Sequence, residues 1–316
     1  MTGLPTGAPR SRARHWFELP AVLLVLATLF WGGNAVVGKL ALNYMSGIEL
    51  SFWRWVLAFV ILLPFAWRPC LRDLGYYRRH RWLLLFLALL SVSLYNSLQY
   101  VALQWTSAIN VGVVSATMPL EVFLLTWLLG QERANWLQKL GLLLALLGVG
   151  WVVARGQLQV LTGLQLNPGD LLMLTAVFGF AIYSVLMRKL PRELDKLGLL
   201  LLLIFIGSIG ILPFYLWDIS SRETFTLNTD TALILGYVAI FPSLLSYYFW
   251  NKAVLLGGAN QAGLFTNLIS VFASLLAVIF LGEAFRSYHV IGMTTIFVAI
   301  LLATYVSKWY SLRQSR

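Results

Sequence analysis

The chain has 316 residues, 59% of them hydrophobic and only 11% charged, with a formal charge of +11. A soluble domain carries about a quarter charged residues, so this composition excludes one and indicates an integral membrane protein. One cysteine, Cys70, excludes an internal disulfide framework, and His15, His80 and His289 share no metal-ligand spacing.

Residues 1–19 form a basic segment carrying Arg10, Arg12 and Arg14. The apolar run that follows is longer than a secretory signal core, so it reads as a retained first span. Spans are expected at 20–43, 47–67, 82–103, 106–129, 137–154, 169–187, 197–217, 231–251, 260–281 and 289–307, each long enough to cross a bilayer. With the N-terminus inside, eighteen basic residues fall in cytoplasmic segments, and only Arg155, Arg222 and Arg286 fall outside. That bias is the positive-inside pattern. It places both termini, including the tail 308–316, in the cytoplasm of a bacterial inner-membrane protein, and it makes the basic excess topological rather than a nucleic-acid surface.

Sliding residues 107–150 forward by 151 positions matches Ala108 to Ala259, Gly112 to Gly263, Leu124 to Leu275, Glu132 to Glu283 and Gly141 to Gly292 without a gap. A repeat of five spans must invert, because each span flips the chain across the bilayer. The expected fold is therefore an all-α integral membrane protein of ten transmembrane helices in two inverted five-helix repeats, 20–155 and 169–307, the ground plan of many secondary transporters.

Span by span, polar and aromatic residues concentrate in a few helices. Span 1 carries Trp31 and Asn34, with Lys39 near its outer end, where it can snorkel. Span 2 carries Arg54, an anion binder or an ion-pair scaffold with Glu121 or Glu49. Span 3 carries Tyr95, Asn96, Gln99 and Tyr100; Asn96 and Tyr100 stand at i,i+4 with Gln99 beside them, so one polar face looks inward. Span 4 opens on Ala108-xxx-Gly112, a small-residue pair that lets helices approach, and span 9 opens on the equivalent Ala259-xxx-Gly263. Gly150-xxx-Ala154 in span 5 extends that pattern. Pro119 is expected to kink span 4; Ser270 stands at its place in span 9, so the halves should bend differently. Glu121, two residues after Pro119, costs roughly 3 kcal/mol or more at this depth unless paired, solvated or protonated. It reads as a site for a proton, a cation or a cationic substrate group, or as a structural partner of Arg54. Tyr183 in span 6, Tyr247, Trp250 and Asn251 in span 8 and Asn267 in span 9 complete a substrate-binding set, whereas spans 5, 7 and 10 are almost wholly aliphatic. A cavity lined by spans 1, 3, 4, 6, 8 and 9 is expected, with Gly112, Pro119, Gly263 and Ser270 as gating positions and Glu121 and Arg54 as coupling positions.

Trp31-Gly32-Gly33-Asn34 with Lys39, Tyr100-Val101-Ala102-Leu103 through Thr106-Ser107-Ala108, Pro119 before Leu128-Leu129-Gly130-Gln131-Glu132, Tyr183 before Arg188-Lys189, and Leu281-Gly282-Glu283-Ala284 fall in order over residues 20–307. In this the chain resembles the drug/metabolite transporter superfamily, in particular its ten-span EamA-type members. The resemblance implies export of small metabolites such as amino acids, nucleobases or drug-like compounds by alternating access, coupled to a proton or cation gradient. The chain departs from the family at Ser270, where a proline is usual, and at Glu121, where the pattern is apolar. An embedded enzyme would need convergent titratable groups or a metal set; the sequence has no HExxH and no serine–histidine pair at membrane depth, and no cofactor is expected. A passive channel or lipid-handling protein is the alternative.

Overall fold

The structure, a computed structural model, describes residues 20–130, 136–157, 159, 167–187, 189–191, 193–257 and 265–302. Among them there are helices and no strands. The helices are α1 (Pro20–Ala41), α2 (Gly47–Arg72), α3 (Arg81–Ala102), α4 (Ala108–Leu128), α5 (Trp136–Val153), α6 (Pro168–Met187), α7 (Lys196–Ser220), α8 (Thr229–Trp250), α9 (Leu268–Leu281) and α10 (Ser287–Leu301). Seven are long and apolar enough to cross a membrane. The described parts of α5, α9 and α10 offer shorter apolar stretches, Lys139–Val153, Leu268–Leu281 and Ser287–Ala299. Large apolar side chains such as Phe65, Trp82, Phe214, Trp217 and Phe280 stand exposed on the outer surface, as a lipid-facing wall requires.

Polar caps start the helices where the sequence turns. Ser46 Oγ accepts from Glu49 N (3.0 Å) at α2, Ser107 Oγ accepts from Asn110 N (3.0 Å) at α4, and Asp195 accepts from Leu197 N and Gly198 N at α7. Each satisfies backbone donors that the first turn leaves open. Asn228 and Thr231 form a reciprocal capping box at α8.

Two helices carry an unexpected feature. Residues Leu89–Leu94 of α3 and Ala239–Leu245 of α8 form wide π-turns, 150 positions apart. Such turns insert one residue into the ladder and cluster at functional sites. In α8 the turn contains Pro242, which has no N–H to give.

The expectation that Pro119 kinks span 4 in mid-helix, while Ser270 forces no kink in span 9, is corrected. Helix α4 is interrupted at Ala116–Thr117, and Pro119 occupies the first turn of its second segment, Met118–Leu128, where a missing N–H costs nothing. The corresponding stretch Thr266–Asn267 is likewise a turn, and α9 starts only at Leu268. Both halves break at matching places, and only one has a proline there.

Helix α2 packs chiefly on α7, α5 on α10, α1 on α9 and α8, α6 on α3 and α4, and α9 on the first segment of α4. Small residues set the closest approaches. A Cβ at Gly148 would lie 3.0 Å from Gly292 O, and one at Gly292 would lie 2.2 Å from a Val152 methyl, so α5 and α10 meet nearly backbone to backbone. Gly150 faces open space, so the contact lies two residues earlier than the Gly150-xxx-Ala154 pattern suggests.

Candidate functional site

Arg54 sits eight residues into α2, about 10 Å from its start at the helical rise of about 1.5 Å per residue. It is among the largest fully enclosed side chains, 2% exposed. Its Nε donates to Ser243 Oγ (2.6 Å), and its Nη1 donates to Asn96 Oδ1 (2.7 Å), Tyr100 OH (2.6 Å) and Asn34 Oδ1 (3.1 Å). The acceptors are themselves anchored. Tyr100 OH donates to Asn34 Oδ1 (2.6 Å), and Asn34 Nδ2 donates to Gln99 Oε1 (3.3 Å). Asn96 Nδ2 reaches Ser91 O (3.3 Å) in the π-turn of α3, and Ser243 Oγ donates to Val238 O (2.7 Å) at that of α8. The wide turns thus present carbonyls that no ordinary α-helix leaves open, and side chains around Arg54 satisfy them.

Of the expected substrate residues, the structure brings Asn34, Asn96, Gln99 and Tyr100 together on Arg54. Trp31 donates to Pro242 O (3.0 Å) and packs on Tyr247 and Trp250, with ring centroids 5.9 and 5.3 Å away. Tyr95 and Tyr183 flank Phe180 at 4.9 and 5.0 Å. Tyr95, Tyr183 and Tyr247 lie deep in the bundle, yet each is only half-buried, so they border internal space. Asn267 is buried in the turn before α9, where its carbonyl accepts from Ser270 Oγ (3.0 Å). The side chain of Asn251 and the whole of Gly263 lie outside the described residues.

The pairing of Arg54 with Glu121 or Glu49 is not formed among the described residues. Glu121 is fourteen residues into α4, about 20 Å from its start, which is a different depth from Arg54. Its Oε1 accepts from Thr117 Oγ1 (2.8 Å), and its Oε2 is buried with no partner among the described residues. Glu49 is held at the start of α2, where it accepts from Phe225 N (3.3 Å). The expected lining of spans 1, 3, 4, 6, 8 and 9 omits span 2, yet α2 supplies the centre. Ser243 also escaped the sequence reading; the signal for it was Pro242, a proline in mid-span.

A second polar cluster clasps the end of the bundle that holds the α3–α4 and α9–α10 joints. Glu283 accepts from Ala108 N (2.8 Å) and Ile109 N (3.0 Å), bridging the end of α9 to the start of α4. Asn110 Nδ2 donates to Asp170 Oδ1 (3.2 Å), to which Thr106 also donates. His289 Nδ1 accepts from Arg286 N (3.0 Å), so its Nε2 carries the proton and donates to Asn110 Oδ1 (3.1 Å). Lys39 donates to Leu103 O and Thr106 O, so it caps α3 rather than snorkelling. Beneath the clasp, a Cβ at Gly112 would meet Ala273 Cβ at 2.6 Å and Ser270 Cα at 3.4 Å, so two expected gating positions, Gly112 and Ser270, face each other across α4 and α9. A cavity of about 420 Å³ opens beside the clasp, lined by Trp105, Thr106, Asn110, Arg155, Arg286 and Tyr288 among others.

Comparison with known proteins agrees with this architecture. The family model described as EamA-like transporter family matches residues 19–154 and again 167–305. An archaeal protein named as an uncharacterized transporter, from Archaeoglobus fulgidus, is 29% identical over 90% of this chain and 96% of its own. Uncharacterized transporter YyaM of Bacillus subtilis is 23% identical over 91% and 94%, and the WAT1-related chloroplastic protein At3g02690 of Arabidopsis thaliana is 26% identical over 90% and 69%. A solved crystal structure superposes with a TM-score of 0.61 at 17% identity, covering 95% of this chain and 99% of that one, a likeness of fold. A multi-pass helical membrane protein, matched by a transporter family along nearly its whole length, belongs to the EamA-like transporter family.

Proposed function

We propose that the chain is a secondary active transporter that exports small metabolites across the bacterial inner membrane by alternating access. Its ten spans form two inverted five-helix repeats with both termini in the cytoplasm. Exchanging α1–α5 with α6–α10 maps the α1–α9 contact onto α6–α4 and the α1–α8 contact onto α6–α3. It maps α2–α7, α4–α9 and α5–α10 onto themselves. The matched π-turns and helix breaks support the same relation, as does the repeated match to the family model.

The observation that carries the reading is the cluster around Arg54: convergent polar side chains and half-buried tyrosines deep in an apolar bundle that is clasped at one end. That is the arrangement of an occluded site with a closed gate. Glu121, with one carboxylate oxygen unpartnered among the described residues, supplies the coupling proton site. The test is counterflow in proteoliposomes. Saturable uptake of a labelled metabolite, accelerated by unlabelled metabolite inside, is expected; flux that stays linear in concentration without acceleration refutes the carrier in favour of a channel.

A further inference from the structure

Arg54 leaves a charge unanswered. All four hydrogen bonds it donates leave from Nε and Nη1, and all four acceptors are neutral. Nη1 has two protons for three of those acceptors, so its longest bond, to Asn34, is replaceable with little loss. Nη2 donates to nothing among the described residues, and no carboxylate there comes within ion-pair distance. The side chain is only 2% exposed, so bulk solvent screens the charge weakly. The guanidinium lies over the rings of Trp55 (4.9 Å) and Tyr100 (5.8 Å), which offset part of the charge without neutralising it. From there the rings continue: Trp55 to Tyr247 at 6.5 Å, and Tyr247 to Trp31 at 5.9 Å.

We infer that the transported species is an organic anion: a carboxylate takes the open Nη2 edge of Arg54, and an apolar or aromatic body lies along Tyr247 and Trp31. The inference rests on the transport reading above, and it follows from charge. A buried cation held only by neutral groups is unsatisfied in field, and at Nη2 also in bonding; a carboxylate answers both with charge-assisted bonds that a neutral ligand cannot make. Neither Glu121 nor Glu49 is placed to do so.

The test uses the purified full-length protein in detergent and thermal shift with acetate, benzoate and 3-phenylpropionate, each against its primary amide, alongside 3-phenylpropylammonium, chloride and inorganic phosphate. At least one carboxylate is expected to stabilise the protein with an apparent affinity at least about tenfold above its amide, the gap between charged and neutral hydrogen bonds. Arg54→Gln is expected to abolish that preference. Because this variant can fail to fold, the ligand series on the unmodified protein stands as an independent arm. An amide or ammonium bound as tightly as the carboxylate overturns the inference, as does no response to any carboxylate, or a carboxylate preference surviving in folded Arg54→Gln. Chloride or phosphate equalling the carboxylates assigns the site to an inorganic ion and also overturns it. Proteoliposome counterflow with the same compounds separates the two readings. Carboxylate binding without counterflow leaves the anion site standing and sinks transport; counterflow of the ammonium compound alone does the reverse.

Discussion

Gly112→Ala tests the gate at its tightest point. The new Cβ lands 2.6 Å from Ala273 Cβ, against an ordinary carbon–carbon contact of about 3.5–4.0 Å, so α4 and α9 must separate by about 1 Å. Overpacking of this kind costs roughly 1–3 kcal/mol, and the cost falls on the clasped state, the one in which these helices touch. The open population therefore rises by roughly 5- to 150-fold at 1.4 kcal/mol per decade. The assay is maleimide labelling of Ala108→Cys, whose parent residue is fully buried beneath the clasp, in a Cys70→Ser background that removes the native thiol. Labelling from the outer side should accelerate by about that factor. Ala273→Gly, which removes the opposing methyl, should return the rate to its starting value. An unchanged labelling rate, or acceleration that Ala273→Gly leaves untouched, refutes the reasoning.

Glu121→Gln should keep the fold and equal-concentration exchange but lose pH-driven uphill transport, measured in proteoliposomes with an imposed pH gradient; normal gradient-driven transport by the variant counts against proton coupling. Since Glu121 bonds Thr117 and not Arg54, the same change should alter stability by no more than about 1 kcal/mol, and Arg54→Gln should give no rescue in thermal unfolding. Glu283→Ala strips the cap from Ala108 N and Ile109 N and should loosen the clasp by roughly 1–2 kcal/mol, read as faster outer labelling at Ala108→Cys, with Glu283→Gln intermediate. Asp73, beyond the end of α2, accepts from Arg72 and from Asp195 N (2.9 Å), and the Arg72 bond holds its carboxyl below the ordinary range. A depressed folded value means stability present above the unfolded value and lost as pH falls through the folded one. Thermal unfolding of Asp73→Asn should therefore show a smaller loss on acidification below the ordinary carboxylate range than the parent protein.

Helix content and the family were legible because each depends on residue type within single segments, whereas the lining omitted the span that carries Arg54. Twenty apolar residues specify a span whatever surrounds them, and Asn96, Gln99 and Tyr100 share a face by helical arithmetic alone. Contacts between segments were less legible. Arg54 and Glu121 look like partners in sequence, being the two charges farthest from any span end, but depth along their helices separates them by about 10 Å. Ser243 lies 189 positions from Arg54, and the adjacent Pro242 marks an irregular turn without saying which side chain that turn meets. The pairing depends on a π-turn, which changes register by a residue and which no hydrophobic period reveals. The break before α9 was hidden for a related reason: Thr266–Asn267 contains no proline to announce it.

The wide turn of α3 also acts as a phase setter. One residue in an α-helix is worth about 100° of rotation, so the extra residue within Leu89–Leu94 fixes the angle at which everything after it faces. Removing a single residue there would restore an unbroken ladder, a gain for the backbone taken alone. It would also swing Asn96, Gln99 and Tyr100 away from Arg54 while leaving the helix as long and apolar as before. Substitutions in α3 change which groups meet the guanidinium one at a time; a one-residue deletion changes them all at once, without altering one of them.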